Sequence, residues 1–133
     1  MKLSTRARYG LRICFLIGVA GEKTSLPTLV KQTDLSEKYL EQLLAMLRKG
    51  GVVESVRGAG GGYYLSKSAE ETTLKEILIA LDDGFEMTDC ISGKCQDEYC
   101  PNKIIFRRLY DGIDSILTST TLADMINDYR CVR

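Results

Sequence analysis

Apolar positions in the first half of this chain recur at helical spacing and stop at glycine. Between Ser4 and Val19 they fall at Leu11, Cys14, Phe15 and Gly18 or Val19, with Arg6, Arg8 and Arg12 at other positions. Steps of three and four put such residues on one face of a helix, with Ser4 or Thr5 as N-cap and Gly21 as stop. In Ser25–Thr33 the repeat continues at Leu26, Leu29 and Val30, and Pro27 sits where the first helical turn tolerates it. Asp34-Leu35 leads to Ser36, an N-cap with Glu37 in the turn that follows. Tyr39 stands where a full capping box would need Glu or Gln. From there Tyr39, Leu40, Leu43, Leu44 and Leu47 form an amphipathic stripe, with Arg48 and Lys49 in the last turn and Gly50-Gly51 after it.

The period then changes. Val52–Val56 reads as a short strand, Arg57–Gly62 as a glycine-rich loop, and Tyr63–Leu65 as the returning strand. Two helices joined by a short turn are helix-turn-helix layout, and a hairpin directly after the second helix is a wing. Glu70–Asp83 holds Leu74, Ile77, Leu78 and Leu81 at helical spacing, capped by Thr72 or Thr73. The cysteine stretch that follows has no period and reads as a loop. After Pro101, Ile104, Ile105, Leu109, Ile113, Ile116 and Leu117 recur at near-heptad spacing, the mark of a long helix with an apolar seam. A last short helix, Leu122–Tyr129, starts at Thr120 or Thr121. The expected fold is mainly α with a small β-hairpin: a winged helix-turn-helix over 1–83, a cysteine-rich loop over 84–100, and a long helix with a short C-terminal helix over 101–133.

Composition narrows the class. The chain has 133 residues, is 44% hydrophobic and carries no net charge, which suits one globular domain with or without an arm. Its longest apolar stretch, ICFLIGVA, is far short of the ~20 residues that span a bilayer, and it lacks signal-peptide layout. The expectation is a cytoplasmic protein with no membrane partner. The neutral total hides a division. Residues 1–67 carry eleven Lys/Arg against five Asp/Glu, and residues 68–133 seven against thirteen. A basic first half suits a polyanion, and an acidic second half suits a separate effector module.

Candidate chemistry lies in three places. A helix in the major groove reads base edges through its N-terminal residues, here Ser36, Glu37, Lys38, Tyr39, Glu41 and Gln42. Glu41 suits cytosine N4, Gln42 suits adenine, and Lys38 suits phosphate or guanine; the competing reading is an ordinary exposed helical face. In Arg57–Gly62, Gly58 and Gly60 let the backbone approach phosphate, and Arg57 on a narrow tip fits a minor groove. A nucleotide-binding glycine loop needs a helix on its far side and a Lys-Ser/Thr pair, and both are missing. The third place is the cysteine loop. Cys90, Cys95 and Cys100 have four residues between neighbours. Thiolates suit iron–sulfur clusters, zinc or copper(I), but structural zinc usually wants closer pairs, often with histidine, and the chain has no histidine. Gly93 helps the loop turn. Cys100 precedes Pro101, at or near a helix N-cap, where partial positive charge favours thiolate. Ordinary reduced surface thiols are the plainer alternative. Cys14 belongs to the apolar side of the first helix, and Cys131 lies three residues from the end. With no histidine base and no phosphate-binding lysine motif, no enzyme site is visible.

The segments MKLSTRARYGLR, LSEKYLEQLLAMLRKGGVVESVRGAGGGYYL and the cysteine loop with its long helix resemble the Rrf-two superfamily of bacterial winged-helix transcription regulators. The similarity covers nearly the whole chain and is greatest to the iron–sulfur cluster regulator (IscR-type) branch. The resemblance implies a homodimer with the long helices of two subunits packed together, bound to a near-palindromic operator in double-stranded DNA. It implies DNA contacts from Tyr39, Glu41, Gln42 and Arg57. It implies that Cys90, Cys95 and Cys100 hold an iron–sulfur cluster, with 2Fe-2S favoured over 4Fe-4S. The chain departs from the pattern at the fourth ligand. Lys103 stands where the IscR-type branch has histidine, and Arg8 where the nitric-oxide-sensing branch has an acid. Asp89, Asp97, Glu98, Asn102, an exogenous thiol or a displaced cysteine remain as candidates. The rival functions are a cluster-free thiol or partner-controlled regulator of sulfur metabolism, and a small iron–sulfur redox protein.

Overall fold

The computed structural model describes residues 3–81 and 93–132. Among them six helices and one two-stranded hairpin run in the order α1 (Thr5–Ala20), α2 (Leu26–Thr33), α3 (Glu37–Lys49), β1 (Val53–Val56), β2 (Gly62–Leu65), α4 (Leu74–Ala80), α5 (Pro101–Ser119) and α6 (Leu122–Cys131). The chain is mainly α with a small antiparallel hairpin.

Local chemistry fixes the helix starts. Ser4 accepts the Ala7 N–H at 3.0 Å and caps α1. Ser25 caps α2 through the Thr28 N–H, and Ser36 caps α3 through the Tyr39 N–H at 3.2 Å. At α4 and α6 the cap is reciprocal. Thr73 pairs with Glu76, and Thr121 with Asp124, each side chain meeting the other residue's backbone N–H. Of the paired candidates the sequence offers, the structure selects Ser4, Thr73 and Thr121. The helix expected over Glu70–Asp83 begins later, at Leu74, because Thr73 closes the capping box there; Asp82 and Asp83 lie outside the described residues. The last helix runs two residues beyond Tyr129, to Cys131.

The core gathers α1, α2 through Leu29, α3, α4, the hairpin and α6. Leu40, Leu43, Leu44 and Leu47 are fully buried on α3, beside Ile13, Cys14 and Ile17 of α1 and Ile77 and Leu81 around α4. Burying each such side chain contributes about 2 kcal/mol. Leu122 and Ile126 bring α6 into the same core, and the Phe15 and Tyr129 rings meet edge to face at 5.0 Å. Extended backbone seats α6: the Leu122 N–H donates to Thr72 O at 2.8 Å, and the Leu74 N–H to Thr120 O at 3.0 Å.

The hairpin pairs Val53 with Leu65 and Val56 with Gly62. A third extended segment locks it to the turn between α1 and α2. Thr24 N–H donates to Tyr63 O at 2.8 Å and Tyr63 N–H to Thr24 O at 2.9 Å. Gly62 makes this approach possible, since a Cβ there would stand 2.7 Å from Thr24 O. Gly62→Ala is therefore expected to destabilise the fold by about 1–3 kcal/mol. The denaturant midpoint measures this, and an unchanged midpoint would contradict it.

Helix α5 differs from the others. It has no buried residue, and Ile104, Leu109 and Ile116 are 71%, 46% and 62% exposed. One ion pair, Lys75 to Asp114 at 2.8 Å, ties it to α4. Among the described residues no helix is long and apolar enough to cross a membrane.

Candidate nucleic-acid interface and cysteine loop

Helix α3 turns its leucines inward, so its other face is exposed. Glu37, Lys38, Glu41, Gln42, Ala45 and Arg48 lie on that outer side. Ser36 is also exposed, but its oxygen is engaged by the Tyr39 N–H. Its hydroxyl proton is free to donate outward. Tyr39 is half-buried, and its ring meets Tyr9 of α1 edge to face, 6.2 Å between centroids at 89°.

The wing presents Arg57, Gly58, Ala59 and Gly60, all exposed. The Gly61 N–H donates to Gly58 O at 2.9 Å and closes a four-residue turn. Gly60, third in the turn, has φ 78, a left-handed value that glycine takes without strain. Between wing and helices lies a cleft of about 440 Å³, lined by Ser25, Pro27, Arg48, Ser55, Arg57, Gly58 and Gly60 among others. It brings Arg48 and Arg57 to one concavity. Sequence spacing treats Arg48 only as a cation in the last turn of its helix. The signal that places it outward is its step of three and seven from Ala45 and Glu41 on the exposed face. On the hairpin, the Tyr64 hydroxyl donates to Glu54 at 2.7 Å, and that bond holds the phenol above its usual titration range.

The cysteine loop is described from Gly93 onward; Asp89 and Cys90 lie outside the described residues. Gly93 takes φ 79. Asp97 accepts the Tyr99 N–H at 3.0 Å, and the Lys103 ammonium donates to the Asp97 carbonyl at 3.5 Å. Cys100 is the N-cap of α5, its sulfur making no capping hydrogen bond. Cys95 and Cys100 are half-buried, unbridged thiols. Glu98 and Asn102 are exposed. Among the described residues no three Cys, Asp or Glu side chains converge as a metal site. Cys14 is fully buried in the core, and burial pushes its thiol up to about 12, so it stays protonated and out of ligation. Cys131 is exposed at the end of α6.

The fold and these surfaces define a class, the winged helix-turn-helix regulators of transcription. A family model described as an iron-dependent transcriptional regulator, Rrf2, matches residues 3–128, and the chain belongs to that family. The chain is similar to the HTH-type transcriptional regulator IscR of Photorhabdus laumondii, 33% identical over 132 residues that span 96% of this chain and 80% of that protein. Among solved structures, CymR (YrzC), described as the global cysteine regulator of B. subtilis, matches with TM-score 0.83 at 34% identity, covering 96% of this chain and 97% of that one. T. potens IscR matches with TM-score 0.77 at 34% identity, covering 97% and 88%. The chain is a DNA-binding transcriptional regulator of the Rrf2/IscR type, and its relatives are named regulators rather than enzymes.

Proposed function

We propose that the chain acts in the cytoplasm as a homodimeric regulator whose DNA affinity responds to an iron–sulfur cluster. The observation that carries this is the position of the thiols. Cys100 stands at the N-cap position of the same helix that leaves an apolar row bare, so whatever Cys95 and Cys100 bind acts directly on the start of α5. The bare row suits a second copy of the same helix, in the manner of a heptad seam. The donor set fits a cluster as far as it is described: two unbridged, half-buried thiols, one with its sulfur unused in capping. Cys90, Cys95 and Cys100 would hold the group, and it would supply iron bound by soft thiolates whose gain or loss reports iron, oxygen or nitric oxide. A two-iron cluster is the favoured form. Three protein ligands leave one iron position to a further donor outside this set, which suits a labile sensor better than an electron carrier.

On the DNA side, Ser36, Lys38, Tyr39, Glu41 and Gln42 enter the major groove of each half of a near-palindromic operator, while Arg57, Gly58 and Gly60 meet the adjoining minor groove and backbone. Comparison of DNA binding by anaerobically purified protein with and without cluster tests the coupling; identical affinity and sequence preference in both forms would refute it. Glu41→Ala is expected to broaden preference at one base pair by about 1–3 kcal/mol while total binding to unrelated DNA stays constant. Selection from random duplexes measures this, and equal loss on every sequence would argue against base readout. CymR's description as a cysteine regulator keeps a second reading open, a cluster-free thiol or partner-controlled regulator of sulfur metabolism. An anaerobic preparation without iron or sulfide would favour it.

A further inference from the structure

Helix α1 carries Arg6, Arg8 and Arg12 and no Asp or Glu along its length. Two of its side chains lie along the turn that joins α2 to α3. Tyr9 meets the ring of Tyr39, which stands in the first turn of α3. Three residues on, the Arg12 guanidinium donates to the Gln32 carbonyl at 3.4 Å, at the end of α2 and four residues before the Ser36 cap. Steps of three share a helix face, so Tyr9 and Arg12 form one edge that runs from the end of α2 to the first turn of α3.

Both groups have bonding capacity to spare. A guanidinium has five N–H donors and the Gln32 carbonyl takes one. Asp34 and Glu37 are the acids on the adjoining turn, and among the described residues Arg12 makes no ion pair with either. Among the same residues the Tyr9 hydroxyl takes no part in an internal hydrogen bond; the structure uses only its ring. A helix in the major groove is bordered by phosphate strands, and groups flanking its N-terminal end face one of them.

We propose that Tyr9 and Arg12 form a phosphate clamp, in which the Tyr9 hydroxyl and the Arg12 fork donate to the non-bridging oxygens of one backbone phosphate beside the groove that α3 enters. The clamp rests on the DNA-binding reading above and adds a function to α1 that the base-reading residues do not cover. It sets the depth and register of α3, because the Tyr9 ring that carries the donor also supports Tyr39. A backbone contact carries no sequence information, so its loss lowers affinity for all DNA alike.

The test uses the full chain, purified anaerobically, with two labelled duplexes: one selected from random sequence by the wild-type protein and a scrambled one of equal length. Tyr9→Phe keeps the ring against Tyr39 and removes only the donor. It is expected to weaken both duplexes by about tenfold with an unchanged thermal melt. Arg12→Gln is expected to weaken both and to lower the slope of log affinity against log salt by about 1, while Arg12→Lys restores the slope but not the full affinity. Wild-type affinity and slope in Tyr9→Phe and Arg12→Gln would overturn the clamp, as would a loss confined to the selected duplex. A selection from random sequence that returns no duplex bound by the wild-type protein would instead refute the DNA-binding reading on which the clamp rests.

Discussion

Cys95→Ala is expected to leave the anaerobically purified protein without visible absorption and with iron and sulfide near zero. Cys95 sits in a loop just before α5, half-buried and outside the hydrophobic core, so removing its sulfur leaves the packing of the head intact. What the substitution removes is one of the three soft donors of the proposed ligand set. Iron in a cluster is held by thiolate, and with one of the three proposed thiolates gone the remaining two are expected to lose the group. Cys14→Ala and Cys131→Ala serve as controls. Cys14 is buried with its thiol held protonated, and Cys131 lies at the far end of α6, so both variants are expected to keep their colour. Retained absorption in Cys95→Ala would refute the ligand set. Loss of colour with unchanged response on DNA would separate the cluster from regulation.

Leu109→Glu is expected to convert the proposed dimer to monomer and to abolish specific DNA binding. Leu109 stands midway along α5, 46% exposed in the single chain, with Ile105 and Ile116 one and two turns away on the same face. A symmetric helix pair buries that row twice, once from each copy. A carboxylate placed there loses its water without gaining a partner, a cost of several kcal/mol per site. About 4 kcal/mol raises the dimer dissociation constant on the order of a thousandfold. The head should be unaffected, since Leu109 is not part of its core. Analytical ultracentrifugation reads the association, and a circular dichroism melt checks the fold. A Leu109→Glu protein that remains dimeric at micromolar concentration would place the dimer interface elsewhere.

Much of the head was legible because its signals are local. The spacing of Leu40, Leu43, Leu44 and Leu47 gives a helix and its buried face together, and Ser36 and Gly50 mark its ends. Gly58 and Gly60 announce a tight turn because other residues rarely take their backbone angles. The cysteine loop was legible as chemistry, from residue type and spacing, but not as geometry. Lys103 reads in the sequence only as an absent histidine. In the structure it folds back to the Asp97 carbonyl, across the segment that holds Cys100.

By itself the sequence determined helix periods, caps, the hairpin and the spacing of the thiols, all set within a few residues of backbone. Only the tertiary structure decided which segments meet. Thr24 pairs with Tyr63 across thirty-nine positions, Tyr9 supports Tyr39, Arg48 shares a cleft with Arg57, and α6 returns to α1 through Phe15 and Tyr129. These contacts depend on how the chain closes on itself, and loop closure leaves no periodic mark in the residues it joins. The bare apolar row on α5 required both. The heptad spacing made the row visible, and the fold determined that nothing in the described part of the same chain buries it.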